Sequence, residues 1–393
     1  MSSQPAPLAR IARATPAGAL PSGNPFIGLN TVLSRWFYKP DLQAIKIVMG
    51  TLKAHYLNIG DPAWLFVVAP PGSGKTSVSI MGTSGLPNVN VLSDLTENTF
   101  LSGFYGHREP GLLEKLGTTA TDENTYTTTG DGVFLIKDFT TVLTMRRDRR
   151  AAILSQLREI HDGQFRRDFG TGVTKIWRGR LSIVAAVTPV LDMYYSIFNV
   201  LGERFLQIRW HRPDSPEAGE WAIRQQGQED DIRAAYQSAL QPIFDSSLKQ
   251  PPTLPKPMEA RLAKLAEVAA IGRTKVIRSN FGNRDIDFIP EPESNTRLSK
   301  GLAAIARGIA ALNQHREVQE NDLQDAFRVG MECLPELRGR LVVAALRGED
   351  LNAIGPRTNR ERQIEELQAL ELFTERTLSE KCRGWLSDAG HGA

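Results

Sequence analysis

The run W-L-F-V-V-A-P-P-G-S-G-K-T, Trp64 to Thr76, joins five consecutive apolar residues to a glycine-rich loop. An unbroken apolar run of that length reads as a strand buried on both faces, the habit of parallel sheets. Gly72 and Gly74 tolerate positive φ, so the loop can turn tightly and aim its N–H groups inward at phosphate oxygens. The helix expected next adds its dipole. Pro71, Gly72, Ser73, Gly74, Lys75, Thr76 and Ser77 then form a phosphate cradle. Lys75 is expected on the β- and γ-phosphates of ATP, and the Thr76 hydroxyl on Mg2+. Ala69 stands where the usual pattern has glycine. A chance Gly/Pro turn is the competing reading; the strand–loop–helix context favours the cradle.

Further strands are expected at Val89–Leu92, Gly132–Ile136, Leu181–Val187 and Phe205–Trp210, with helical periodicity over Pro40–Leu57 and Arg150–Ile160. Strands alternating with helices predict an α/β parallel sheet with helices on both faces. Residues 1–25, rich in Ala, Pro, Ser and Gly, read as a flexible tail. The nucleotide-binding domain is expected over 26–211, a helical lid over 212–335 and a small last unit over 336–393.

Asp138 ends the Gly132–Ile136 strand and is a candidate Mg2+ ligand. The next residue, Phe139, stands where many ATPases place a water-orienting glutamate; Glu97 and Glu159 are candidates for that task, or ordinary solvated acids.

The net charge is only +3, so a nucleic-acid contact has to come from local patches. Two cysteines, Cys333 and Cys382, far apart, exclude a disulfide scaffold or zinc finger and fit a reducing cytoplasm. No apolar run approaches the ~20 residues of a membrane span, so no membrane partner is expected.

Taken in order, A-P-P-G-S-G-K-T, L-I-K-D-F, I-V-A-A-V-T-P and G-E-R-F resemble an AAA+ ATPase. The likeness is to the group with an inserted pre-sensor hairpin, such as minichromosome-maintenance helicases, magnesium chelatases and sigma-54 activators. The K-D-F variant looks like ATP-binding proteins of bacteriophages and mobile elements. The resemblance spans roughly residues 60–330. It implies Thr188 as sensor 1, Arg204 as an arginine finger acting on a neighbour's ATP, and Arg297 as sensor 2 on a lid helix over the nucleotide. A finger in trans implies a homo-oligomeric ring. The plain alternatives are an ion pair for Arg204 and a helix-surface position for Arg297.

Between Gly163 and Arg180, two short strands are expected around Gly170-Thr171-Gly172. Arg166, Arg167, Lys175, Arg178 and Arg180 interleave with Phe165, Phe169 and Trp177. Positive charge with aromatics suits a nucleic-acid strand in a ring channel; a solvated hairpin is the alternative. The last unit looks winged-helix-like. Arg357, Arg360 and Arg362 open its second helix, where helix-turn-helix proteins meet DNA bases, although four glutamates on that helix equally suit a protein partner. The expected function is an oligomeric, helicase-like DNA motor or remodeller. A nucleotide-dependent DNA scaffold or loader, and a chelatase-like protein remodeller, are the alternatives.

Overall fold

The computed structural model describes residues 26–74, 82–102, 110–194, 204–211, 215–279 and 285–389. Nine strands lie in its first half: β1 (Trp64–Val68), β2 (Val89–Leu92), β3 (Thr118–Asp122), β4 (Thr125–Thr129), β5 (Gly132–Ile136), β6 (Gln164–Asp168), β7 (Thr174–Arg178), β8 (Leu181–Val187) and β9 (Phe205–Arg209). Five of them form an all-parallel sheet in the order β2-β5-β8-β1-β9. Every residue of β1, β5 and β8 is buried, which is why these strands read as continuous apolar runs.

The period of two divides each strand between two cores. Leu65, Val67, Val133, Leu135, Val184 and Ala186 face one; Trp64, Phe66, Phe134, Ile136, Ile183 and Ala185 face the other. Helices α1 (Phe26–Trp36) and α2 (Leu42–Tyr56) cover the first face, and α3 (Thr140–Thr144) and α4 (Arg147–His161) the second. The carboxylate of Asp41 caps α2 by accepting from the Ala44 N–H at 3.0 Å.

The remaining strands make a second sheet, β3-β4-β7-β6, against the second face. The strands expected around Gly170-Thr171-Gly172 are β6 and β7. Their partner hairpin β3–β4 escapes a reading by apolar alternation because it is mostly threonine, held by β-branching and by a Thr119–Thr128 hydroxyl contact of 2.8 Å.

The rest of the described chain is mostly helical: α5 (Pro216–Arg224), α6 (Glu229–Ser246), α7 (Lys256–Gly272), α8 (Thr296–Leu312), α9 (Glu320–Glu332), α10 (Glu336–Arg347), α11 (Arg357–Ala369) and α12 (Glu380–Ala389). A two-stranded ribbon, Ile277–Arg278 with Ile286–Phe288, fills the polar break before α8. A second ribbon, Phe373–Thr374 with Thr377–Leu378, links α11 to α12. One apolar core runs from α1 through the sheet to Cys382 and Leu386 of α12, so the boundary expected at 335/336 has no gap in packing. Arg338 of α10 reinforces it by donating to the carbonyls of Gly272 and Thr274 and to the Glu366 carboxylate.

Helix α8 crosses α2 at two glycines. A Cβ on Gly308 would lie 2.0 Å from the Gly50 carbonyl oxygen, and one on Gly50 would meet the Ile309 side chain at 2.4 Å. Backbone cannot yield as a side-chain tip does. Gly308→Val is therefore expected to lower stability by about 2 kcal/mol, the cost of overpacking a tight core. The midpoint of urea denaturation checks this.

Candidate functional site

Three groups meet at the carboxyl edge of the parallel sheet. β1 runs into Ala69–Gly74, and the Ala69 N–H still bonds the Val187 carbonyl of β8 at 3.0 Å. Gly72 (φ +73°) and Gly74 (φ +79°) adopt the left-handed conformation on either side of Ser73. Such alternation turns successive N–H groups into one concavity. The Ser73 hydroxyl is buried there with no protein partner. Lys75, Thr76 and Ser77 lie outside the described residues.

Asp138 follows β5 and Thr188 follows β8, the strand between β5 and β1. Both are half-buried. Asp138 accepts from the Thr140 N–H at 2.9 Å. The Thr140 hydroxyl lies 3.2 Å from that of Thr188 and accepts from the Thr188 N–H at 3.1 Å. This couples the acid to the neighbouring strand end through Thr140, which the sequence reading missed. Phe139 is turned the other way. It is fully buried, 5.0 Å from the Phe66 ring and 5.6 Å from that of Phe205. The aromatic replaces a water-orienting acid because this position belongs to the core. Glu159 is exposed at the far end of α4, two residues before His161, and Glu97 lies on the loop its carbonyl ties to Gln156 and Arg167.

A cavity of about 970 Å³ opens beside Gly72–Gly74. Trp36, Tyr38 and Lys39 line it together with Trp221 and Ile223 of α5. The Tyr38 and Trp221 rings are 6.2 Å apart, and the Trp221 indole N–H is buried without a protein acceptor. An aromatic wall with a spare donor next to a phosphate cradle suits a nucleoside. Its two halves are far apart in sequence, so only the cluster Trp36-Phe37-Tyr38 could have signalled it.

Arg204 and Arg297 lie elsewhere. Both line one pocket with Ala63 and Trp64, at the amino edge of the sheet. The five-residue β1 separates that edge from the loop, roughly 16 Å at a strand's rise per residue. The sequence expectation of Arg297 over its own chain's nucleotide therefore does not match its position; it faces away. Arg204 is nearly buried and takes both Asp162 oxygens, at 3.0 and 3.1 Å. Arg297 is exposed at the start of α8, and Lys300 pairs with Asp61 at 2.9 Å. An adjoining cavity of about 590 Å³ shares His161 and adds Arg180.

His161 stacks edge-on to Trp64 at 5.0 Å. Burial, then the Arg204 charge, pushes its pKa down to about 4. Burial likewise holds His55 at about 4. The folded state thus disfavours protons that the unfolded chain takes up near pH 6.5. Stability is complete above pH 6.5 and is expected to fall steadily towards pH 4. Denaturation midpoints across that range test it, with His161→Phe removing part of the slope.

Most of the basic residues expected on nucleic acid are committed within the chain. Lys175 is buried and paired with Glu114 at 2.7 Å. Arg180 donates to the carbonyls of Ile59, Gly60 and Asp61, and Arg167 to the Glu97 carbonyl and the Asn98 side chain. Arg360 is buried on the carbonyls of Asn352 and Gly355. Phe165 and Trp177 are core residues, so neither is placed to stack a base. Arg178 and Arg357 are exposed, Arg362 is half-exposed, and Arg166 pairs at the surface with Asp168. The turn of β3–β4 lies beside that of β6–β7, joined by the Thr174 N–H to the Asn124 carbonyl. Exposed Asp122 and Glu123 make the β3–β4 side of that end acidic, while Arg166 offsets Asp168.

No protein-family model matches the chain, and no curated protein matches it. No helix among the described residues is long and apolar enough to cross a membrane.

Proposed function

We propose that this chain binds ATP and hydrolyses it slowly as an oligomer of the AAA+ type. The observation that carries the reading is the separation of two complementary half-sites: a glycine cradle with Asp138 and Thr188 at one edge, and Arg204 with Arg297 at the other. A chain that holds phosphate at one edge and arginine at the opposite edge completes a site by meeting a second copy head to tail, which closes rings. The arginines then stabilise charge on the transferring phosphoryl group. Hard oxygen donors from Asp138 and Thr76 suit Mg2+, which neutralises phosphate charge when bound. The Thr140 and Thr188 hydroxyls, paired beside Asp138, are able to hold a water, and a hydroxyl pair in place of a glutamate favours slow turnover.

DNA is the proposed track, supported by exposed Arg178 and Arg357 and half-exposed Arg362 on two separate elements. The last unit, with its three helices and ribbon, is winged-helix-like in this reading. A second reading, protein remodelling, is favoured by the acidic β3–β4 end of the β3-β4-β7-β6 sheet, which repels a phosphate backbone. ATP turnover by wild type and Lys75→Ala, with single- and double-stranded DNA at two salt concentrations, tests both. The expected result is turnover lost in Lys75→Ala, and DNA stimulation in wild type that fades at high salt. Stimulation by a protein fraction but not by DNA would select the second reading.

A further inference from the structure

We infer that Arg340 of α10 contacts the terminal phosphate of ATP bound to its own chain, an assignment that rests on the ATP reading above. With Arg297 at the opposite edge, that cis position is open to another cation. A cavity of about 470 Å³ lies between the carboxyl edge of the sheet and α10. One wall is Ala69 and Pro70, which enter the glycine loop, and Pro189, which follows Thr188; the other is Gly339, Arg340 and Val343. Gly72–Gly74 follow the first wall directly in the chain, so a phosphate cradled there would sit beside this opening.

The charges around the cavity differ in how firmly they are held. Arg209 makes two bonds to Asp192, at 2.7 and 3.0 Å. Glu332 accepts from the Arg328 guanidinium at 2.9 Å and from the Arg209 N–H. Arg347 stands 3.7 Å from Glu349. Arg340 has the weakest tie, a 4.0 Å approach to Glu336 one turn back, with both side chains about half exposed. Two residues earlier, Arg338 is buried in bonds to the Gly272 and Thr274 carbonyls and to Gln363 and Glu366 of α11, so α10 itself is firmly placed. Gly339 lets α10 close on α9, since a Cβ there would come within 2.9 Å of the Met331 carbonyl oxygen. A fixed helix thus carries a loosely paired guanidinium towards the loop. Such a group gains by exchanging a carboxylate at 4.0 Å for phosphate oxygens in bidentate contact. ADP lacks those oxygens, so Arg340 would distinguish the two nucleotides and report the difference to the C-terminal unit.

The test titrates Mg-ATPγS and Mg-ADP into the full chain, at concentrations where light scattering shows a monomer, so that a neighbour's arginines play no part. Arg340→Ala is expected to weaken ATPγS about tenfold, the worth of one charge-assisted contact, and ADP less than twofold. Arg340→Lys should fall between, and Glu336→Gln, which removes the competing carboxylate, should tighten ATPγS. An ATPγS-to-ADP affinity ratio unmoved by Arg340→Ala would overturn the inference while leaving the ATP reading intact. Equal weakening of both nucleotides would overturn it too. A wild-type chain that binds neither nucleotide would sink both. If Arg340→Ala does not fold, Arg340→Lys and Glu336→Gln carry the same comparison.

Discussion

Arg297→Ala is expected to lower ATP turnover by about three orders of magnitude, the low end of the roughly 10³–10⁵ that an arginine finger supplies. Nucleotide affinity of the isolated chain should stay unchanged. Both halves of this expectation follow from the amino-edge position of Arg297, a strand's length from its own loop. The sharper result comes from mixing. Lys75→Ala lacks the cradle lysine but keeps both arginines, whereas Arg297→Ala keeps the cradle and lacks one arginine. Each alone is expected to turn over ATP at a small fraction of the wild-type rate. In a random mixture of equal parts, about a quarter of head-to-tail interfaces pair an intact cradle with an intact arginine. Turnover should then recover to roughly that fraction of wild type. Arg204→Lys serves as the companion variant, because truncating a side chain bonded to Asp162 on both oxygens would also disturb packing beside Trp64. No recovery on mixing would mean that both groups act within one chain, and the paired-edge proposal would fail.

The parallel sheet was legible because its strands are buried on both faces and announce themselves as unbroken apolar runs: W-L-F-V-V, G-V-F-L-I and L-S-I-V-A-A-V. The glycine loop was legible because positive φ at Gly72 and Gly74 is a demand few other residues meet. Asp138 and Thr188 follow from their place at strand ends. What the sequence hides is direction and commitment. Arg297 and Arg204 are recognisable as arginines near helix and strand starts, but the edge Arg297 occupies depends on how α8 packs across α2, and that of Arg204 on β9 pairing with β1. Lys175, Arg180 and Arg360 read as surface charge because their acceptors are remote or are main-chain carbonyls. Glu114 is 61 residues from Lys175, and Gly60 is 120 from Arg180. The same limit applies to Trp177, whose indole N–H bonds the Gly130 carbonyl inside the core rather than meeting a base. The cavity beside the glycine loop is a third case, since Tyr38 and Trp221 come together only in three dimensions.

Of the interactions hidden in this way, the Glu114–Lys175 pair has the largest expected consequence for stability. Both side chains are only 2% exposed. The carboxylate accepts from Lys175 Nζ at 2.7 Å and from the N–H groups of Ser102 and Gly111, at 3.0 and 2.6 Å. One acid thereby holds two distant points of the chain to β7, the strand at the centre of the second sheet. Lys175→Met leaves that carboxylate buried with its counter-charge removed, which costs about 3–5 kcal/mol by the usual penalty for breaking a buried pair. The double variant Lys175→Met with Glu114→Gln removes both charges and keeps an acceptor for one N–H, so it should regain at least half of the loss. Chemical denaturation of the two variants separates these outcomes. Salt sharpens the distinction: raising it to about 1 M screens exposed charges within a few ångströms but barely reaches a dry pair, so the penalty should persist. A partly loosened second sheet should also lose stimulation of turnover by DNA or protein before it loses basal turnover, because the cradle stands on a different sheet. A Lys175→Met chain with wild-type stability and full stimulation would show that the pair neither holds the sheet nor couples it to the nucleotide.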